Sequence, residues 1–198
     1  MFKKMFDFFV GKKESIVNCS IEPSESKTEH YAFKPLPIDT SKYKFDPPSQ
    51  KQLDYAESLG IELHPNMTKS DLSAVITKVE DDDMGTPEIG LLQYAQENGE
   101  SPSPYLGLNN AVCIATRRLK DDELCSFYLY CLYCAQLGKP IDNLNSSPLK
   151  DRFRAFGNEL SQNPKTVDSI RNRPSGDFVK PNKRTVAYTT AIEYLKKI

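Results

Sequence analysis

The stretch Asp121–Leu137 (DDELCSFYLYCLYCAQL) constrains the fold more than any other, because beyond its acidic first turn it has no polar face. No glycine or proline interrupts it, and Gly138-Lys139-Pro140 stops it. A helix that is apolar all round is a buried helix, so the rest of the chain must supply its surroundings. That surrounding material also reads as helical. Alternating β-branched runs are almost absent, and most other segments carry apolar residues at helical spacing between start and stop signals.

Ser49 caps a helix over residues 50–59, with Leu53, Ala56 and Leu59 inward and Gly60 in the stop position. Thr68-Lys69-Ser70-Asp71 is a capping box for a helix from Lys69 to about Glu80, in which Leu72, Val75, Ile76 and Val79 share a stripe. Asp81-Asp82-Asp83 has the wrong charge for a helix C-terminus and ends it. Thr86-Pro87-Glu88 begins a third helix, with Thr86 as cap and Pro87 first in the helix, and Gly99 stops it. A fourth covers about 108–119. Another starts at Ser147-Pro148, puts Leu149, Phe153, Phe156 and Leu160 inward, and has Pro164 beyond its end. The last covers about 184–197.

The expected fold is all-α: a small helix–extended–helix module plus a helical domain, preceded by an extended, proline-containing N-terminal arm. At 198 residues the chain suits one medium domain or a small domain with an appendage, at roughly 100–200 residues per domain. The expected division is an amphipathic N-terminal helix (1–13), an extended arm (14–48), the two-helix module (49–83) and a domain of about five helices (84–198). Pro23, Pro35, Pro37, Pro47 and Pro48 keep the arm from becoming helix or central strand, while Tyr31, Phe33, Tyr43 and Phe45 give it apolar groups to bury.

At the N-terminus, Phe2, Met5, Phe6, Phe9 and Val10 form one helical stripe. It is too short for a secretory signal and, lacking Trp and Arg, makes a poor membrane anchor. Docking on the chain's own domain or on a protein partner is therefore expected, with Phe2, Phe6 and Phe9 as the interacting residues. No apolar run approaches the ~20 residues that span a bilayer. The odd count of five cysteines, with no export signal, points to a reducing cytoplasm. Cys131-Leu132-Tyr133-Cys134 has the CxxC spacing of zinc and redox sites, but it lies within a buried helix, and the only histidines are His30 and His64. Core packing is the expected role, with no metal or cofactor.

Residues 48–80 (PSQKQLDYAESLGIELHPNMTKSDLSAVITKVE) have Leu53, Ala56, Leu59-Gly60-Ile61, Thr68-Lys69, Asp71-Leu72 and Ile76 in an order that resembles the SAP- and LEM-type modules. The resemblance implies two short helices joined by an extended plug; in SAP modules this surface contacts DNA, and in LEM modules a protein. Across residues 49–80, however, Lys51, Lys69 and Lys78 face five acidic side chains. DNA affinity rests mainly on phosphate neutralisation, so such a module grips DNA poorly unless its lysines cluster. Lys51 and Lys69 fall near helix starts, where backbone N–H groups help to hold phosphate.

The near-zero net charge of −1 hides an asymmetry. Residues 81–124 hold three basic and nine acidic side chains, and residues 150–198 hold eleven basic and five acidic. The basic residues are densest at Arg171, Arg173, Lys180, Lys183 and Arg184, in a proline-punctuated loop with Phe178 and Tyr188 close by. Cations interleaved with aromatics suit single-stranded nucleic acid. The alternative is that the acidic and basic regions face one another, within the chain or between two copies. No GxSxG, P-loop, HExxH or calcium-loop spacing is present. The expectation is a non-enzymatic accessory protein whose partner is DNA or RNA, bound through the basic loop with Lys51 and Lys69 assisting. The alternative is an adaptor that binds protein, with a second copy of the chain a further candidate.

Overall fold

A computed structural model describes residues 30–198, and among them the chain is all-α. The helices are α1 (Gln50–Ser58), α2 (Lys69–Glu80), α3 (Ile89–Glu97), α4 (Leu108–Thr116), α5 (Asp121–Leu137), α6 (Lys150–Ser161), α7 (Pro164–Arg171), α8 (Gly176–Val179) and α9 (Val186–Leu195). A single 3₁₀ turn, Leu144–Ser146, precedes α6. The only sheet-like pairing among these residues is an isolated parallel bridge between Tyr31 and Ile61.

The helix α5 occupies the centre. Leu124, Cys125, Phe127, Tyr128, Leu129, Cys131 and Leu132 are all buried, so the helix is enclosed around its whole circumference. Aromatic rings connect it to its neighbours. Tyr94 of α3 stacks on Phe127 with centroids 5.0 Å apart, and Phe178 of α8 meets Tyr128 edge-on at 5.4 Å. Phe153 of α6 sits edge-on to both Tyr130 and Tyr133. Such pairs add about 0.5–1.5 kcal/mol each beyond the area they bury. The closest approach is between α5 and α6, where Gly157 lies against Ser126. A Cβ on Gly157 would fall 2.0 Å from Ser126 Oγ and 2.6 Å from its backbone nitrogen.

Both N-terminal helices begin as the sequence predicts. Ser49 and Gln52 form one reciprocal capping box, and Thr68 and Asp71 another. Gly60 turns the chain at φ +71°, which places Ile61 in the core. From residue 30 on, the arm lies along the domain: Tyr31 N–H donates to Gly60 O, Glu62 N–H to Tyr31 O, and Leu36 N–H to Pro104 O. Residues 1–29, with the expected N-terminal helix and the start of the arm, lie outside the described residues. Gln96 of α3 donates from its side-chain amide to Asp39 O and to Tyr43 Oη. Tyr31, Phe33, Leu36 and Ile38 pack half-buried on the core, whereas Phe45 remains 61% exposed.

Several boundaries differ from the sequence reading. Thr86 does not cap α3: Leu108 N–H donates to Gly85 O, residues 84–88 stay extended, and the N-cap is Glu88. The helix α4 ends at Thr116, whose hydroxyl donates back to Val112 O, and Arg117 and Arg118 turn toward Glu100. After Ser147-Pro148 comes a turn, and α6 starts at Lys150. Pro164 is not only a terminator; it is the first residue of α7, which Asn163 caps. The loop near the C-terminus also contains α8, four residues long.

The third aspartate of the 81–83 run has an unforeseen role. Asp83 is 4% exposed, and its carboxylate accepts Asn109 N–H and Asn110 N–H at 3.0 Å each. It thus caps α4 from a distant part of the chain, satisfying N–H groups that a helix start leaves without partners.

The Gly157→Ala variant tests the α5–α6 contact. Helix propensity alone favours alanine by about 0.5–1 kcal/mol. Overpacking against a backbone nitrogen costs about 1–3 kcal/mol, so the expected result is a lowered denaturant midpoint in a urea melt. A raised midpoint would show that the two helices have room to part.

Candidate nucleic-acid interface

Of the five loop cations, two are used inside the protein. Arg171, at the end of α7, pairs with Asp121 through Nε at 2.9 Å and through Nη2, which also donates to Leu119 O at 3.2 Å. Asp121 belongs to the acidic region, so this one contact joins the two oppositely charged parts of the chain. Arg173 makes three hydrogen bonds in three directions: Nε to Ser169 O, Nη1 to Tyr128 Oη, and Nη2 to Thr185 Oγ1. Its guanidinium also lies over the Tyr128 ring, with Cζ 4.6 Å from the centroid. Burial is the main cause that pushes the Tyr128 phenol up to about 12, with the Arg173 charge opposing it, so the ring stays neutral and donates or accepts as a hydroxyl.

These contacts fix the segment between α7 and α9. Arg173 joins the end of α7 to Thr185, the residue that caps α9, while buried Phe178 inserts in between. Thr185 Oγ1 donates to Asn182 O, and Asn182 Oδ1 accepts Arg184 N–H, which closes a tight turn. Lys180, Lys183 and Arg184 project from this held segment; all three are exposed, and none forms an ion pair among the described residues.

Lys51 and Lys69 are exposed at neighbouring helix starts, where Gln52 Nε2 donates to Lys69 O and to Ser73 Oγ. Three of the N–H groups at these helix starts are already engaged. Ser49 Oγ accepts Gln52 N–H, Thr68 Oγ1 accepts Asp71 N–H, and Lys69 N–H donates to Asp46 O. Asp71 adds a buried carboxylate at the same end, receiving Thr68 N–H and the Thr68 and Ser103 hydroxyls. These two lysines therefore offer charge with fewer backbone donors than an uncapped helix start, and with a buried carboxylate beside them. Phe2, Phe6 and Phe9 lie outside the described residues, as does Cys19.

Cys125, Cys131 and Cys134 are buried free thiols on α5, and Cys113 is exposed. Burial pushes the Cys125 thiol up to about 12, helped by Asp121, and drives Cys131 and Cys134 in the same direction. No group of three His, Cys, Asp or Glu side chains among the described residues is arranged to hold a metal. No helix among them is long and apolar enough to cross a membrane.

Sequence reasoning located the exposed cations but not the residues that hold them. Arg173 resembles its neighbours in composition, and only the spatial arrival of Tyr128 and Thr185 separates it from them. No protein-family profile, curated protein or solved structure matches the chain.

Arg173→Lys removes the forked bonding but keeps the charge. It is expected to loosen residues 174–184, so trypsin should cleave after Lys183 or Arg184 several-fold faster than in the parent protein, with little change in overall helicity. Equal cleavage rates would show that Phe178 alone holds the segment. Iodoacetamide at pH 8 should alkylate Cys113 well ahead of Cys125, Cys131 and Cys134 on peptide mapping, since a raised thiol pKa leaves almost no thiolate at that pH. Labelling of all four at similar rates would mean that α5 opens readily.

Proposed function

We propose that this chain is a non-catalytic accessory protein that holds the phosphate backbone of nucleic acid on Lys180, Lys183 and Arg184. The observation that carries the reading is the held turn: three exposed, unpaired cations on a segment fixed at both ends by Arg173. A pre-ordered cationic turn loses little side-chain and loop freedom on binding, which is where most weak charge contacts fail. With a chain charge of −1, attraction is confined to that surface rather than spread over the molecule. The resemblance of residues 48–80 to SAP- and LEM-type modules is compatible with this reading through its SAP side, with Lys51 and Lys69 as minor contributors.

Fluorescence anisotropy with single- and double-stranded oligonucleotides at several salt concentrations tests this. Three neutralised phosphates give a log K against log salt slope of about −2.7 on duplex and about −2.1 on single strands. Changing Lys180, Lys183 and Arg184 together to Ala is expected to abolish most of the slope, whereas K51A with K69A changes it by less than one unit. Binding to neither form at low salt would overturn the reading. It would leave a protein adaptor, for which the exposed Tyr55 and Leu63 of the two-helix segment are the contacts to vary.

A further inference from the structure

Where the arm crosses the C-terminal part of α2, a cleft of about 360 Å³ opens between the two. Its walls are mostly apolar: Phe33 and Leu36 from the arm, Met84, and Tyr105 and Leu106 from the loop before α4. Its polar side chains are Thr86, Lys34 and, the more buried of the two amines, Lys78 of α2. This residue is only 8% exposed, and its ammonium makes no hydrogen bond and no ion pair among the described residues. Its one named contact is the face of Phe33, with Nζ 5.3 Å from the ring centroid. The nearest acidic group, Asp83, has both oxygens engaged at the start of α4. Lys34 is a second amine on the rim, and no carboxylate lines the cleft.

With most of its side chain buried and no protein acceptor for its ammonium, Lys78 takes its acceptor from whatever enters the cleft, water or a ligand. An apolar cleft with one convergent charged group is also the usual form of a small-molecule site. We propose that this cleft binds a small amphiphilic monocarboxylate, its carboxylate on Lys78 and Lys34 and its hydrocarbon body against Phe33, Leu36, Met84 and Leu106. The size of the cleft suits a compact aryl or short alkyl acid rather than a long-chain lipid. Burial lowers the Lys78 pKa and Asp83 partly restores it; an incoming carboxylate acts in the same direction as Asp83 and favours the charged amine. This site is separate from the C-terminal turn and does not rest on the nucleic-acid reading.

The test uses the full chain, 4-phenylbutyrate, and the uncharged 4-phenylbutyramide of the same shape. Binding is followed through the methyl resonance of Met84, which reports the cleft directly. The acid should move that resonance saturably at millimolar concentration or below, and the amide should bind about tenfold more weakly, the difference expected for a hydrogen bond to a charged group. In Lys78→Met, checked for helicity by circular dichroism, the acid should lose its advantage while the amide binds as before. Acid and amide binding equally, an undisturbed Met84 methyl, or a folded Lys78→Met that keeps the preference would each overturn the proposal. If Lys78→Met does not fold, the acid–amide comparison on the unaltered protein decides alone.

Discussion

A helix with no polar face cannot lie on a surface, and α5 imposes that condition on everything else in the chain. Cys125, Ser126, Phe127 and Tyr128, successive residues about 100° apart, point in different directions around its axis, and each is buried. Neighbours on all sides are therefore a requirement of the sequence. Their small size in places is part of the same requirement: Gly157 lets α6 approach until it meets the backbone of Ser126. The three buried cysteines belong here too. They are compact apolar fillers whose thiols stay protonated because burial penalises the anion.

The same core helix reaches the surface chemistry chiefly through Tyr128, beside the Phe178 contact and the Arg171–Asp121 pair. Tyr128 is fully buried, yet its hydroxyl bonds Arg173 and its ring carries the guanidinium. A charge on a neutral aromatic face, with all three guanidinium nitrogens donating, is a durable contact because arginine is planar and weakly hydrated. Packing around α5 therefore fixes the turn that presents Lys180, Lys183 and Arg184. The core and the cationic surface are coupled mechanically, through Arg173, Phe178 and Arg171, rather than merely adjacent.

What could be read from the sequence follows the range of the forces involved. Capping boxes at Ser49 and Thr68, the positive-φ stops at Gly60, Gly99 and Gly138, and the full extent of α5 are local, and each sits where its residues imply. Elements set by distant contacts were not legible. The start of α3 depends on the hydrogen bond between Gly85 and Leu108, and α7 hides behind a proline that reads equally well as an end or a beginning. The exposed cations of the turn could be found by composition; the division between Arg171 and Arg173, which are bonded inward, and their three free neighbours could not. Nor could the extra burden on the arm. Its prolines announced an extended path, but the pairing of Tyr31 with Ile61 and the grip of Gln96 on Tyr43 require the folded domain.

Asp83 shows how one satisfied group leaves another wanting. Gly107, the N-cap of α4, has no Cβ, and one would fall 2.2 Å from Asp83 Oδ2, so the aspartate closes over the helix start only because that position is glycine. Once there, both its oxygens accept backbone N–H groups, and the helix dipole favours its negative charge. Lys78 is bonded to Asp83 through the backbone, its carbonyl accepting Asp83 N–H at 3.0 Å, yet the two side chains form no ion pair. An arrangement that optimised this pair would leave α4 uncapped; the observed one caps α4 and leaves the ammonium facing an apolar cleft. The unmet acceptor at Lys78 is thus a consequence of how α2 is joined to α4, and it follows from the fold rather than from a defect in packing.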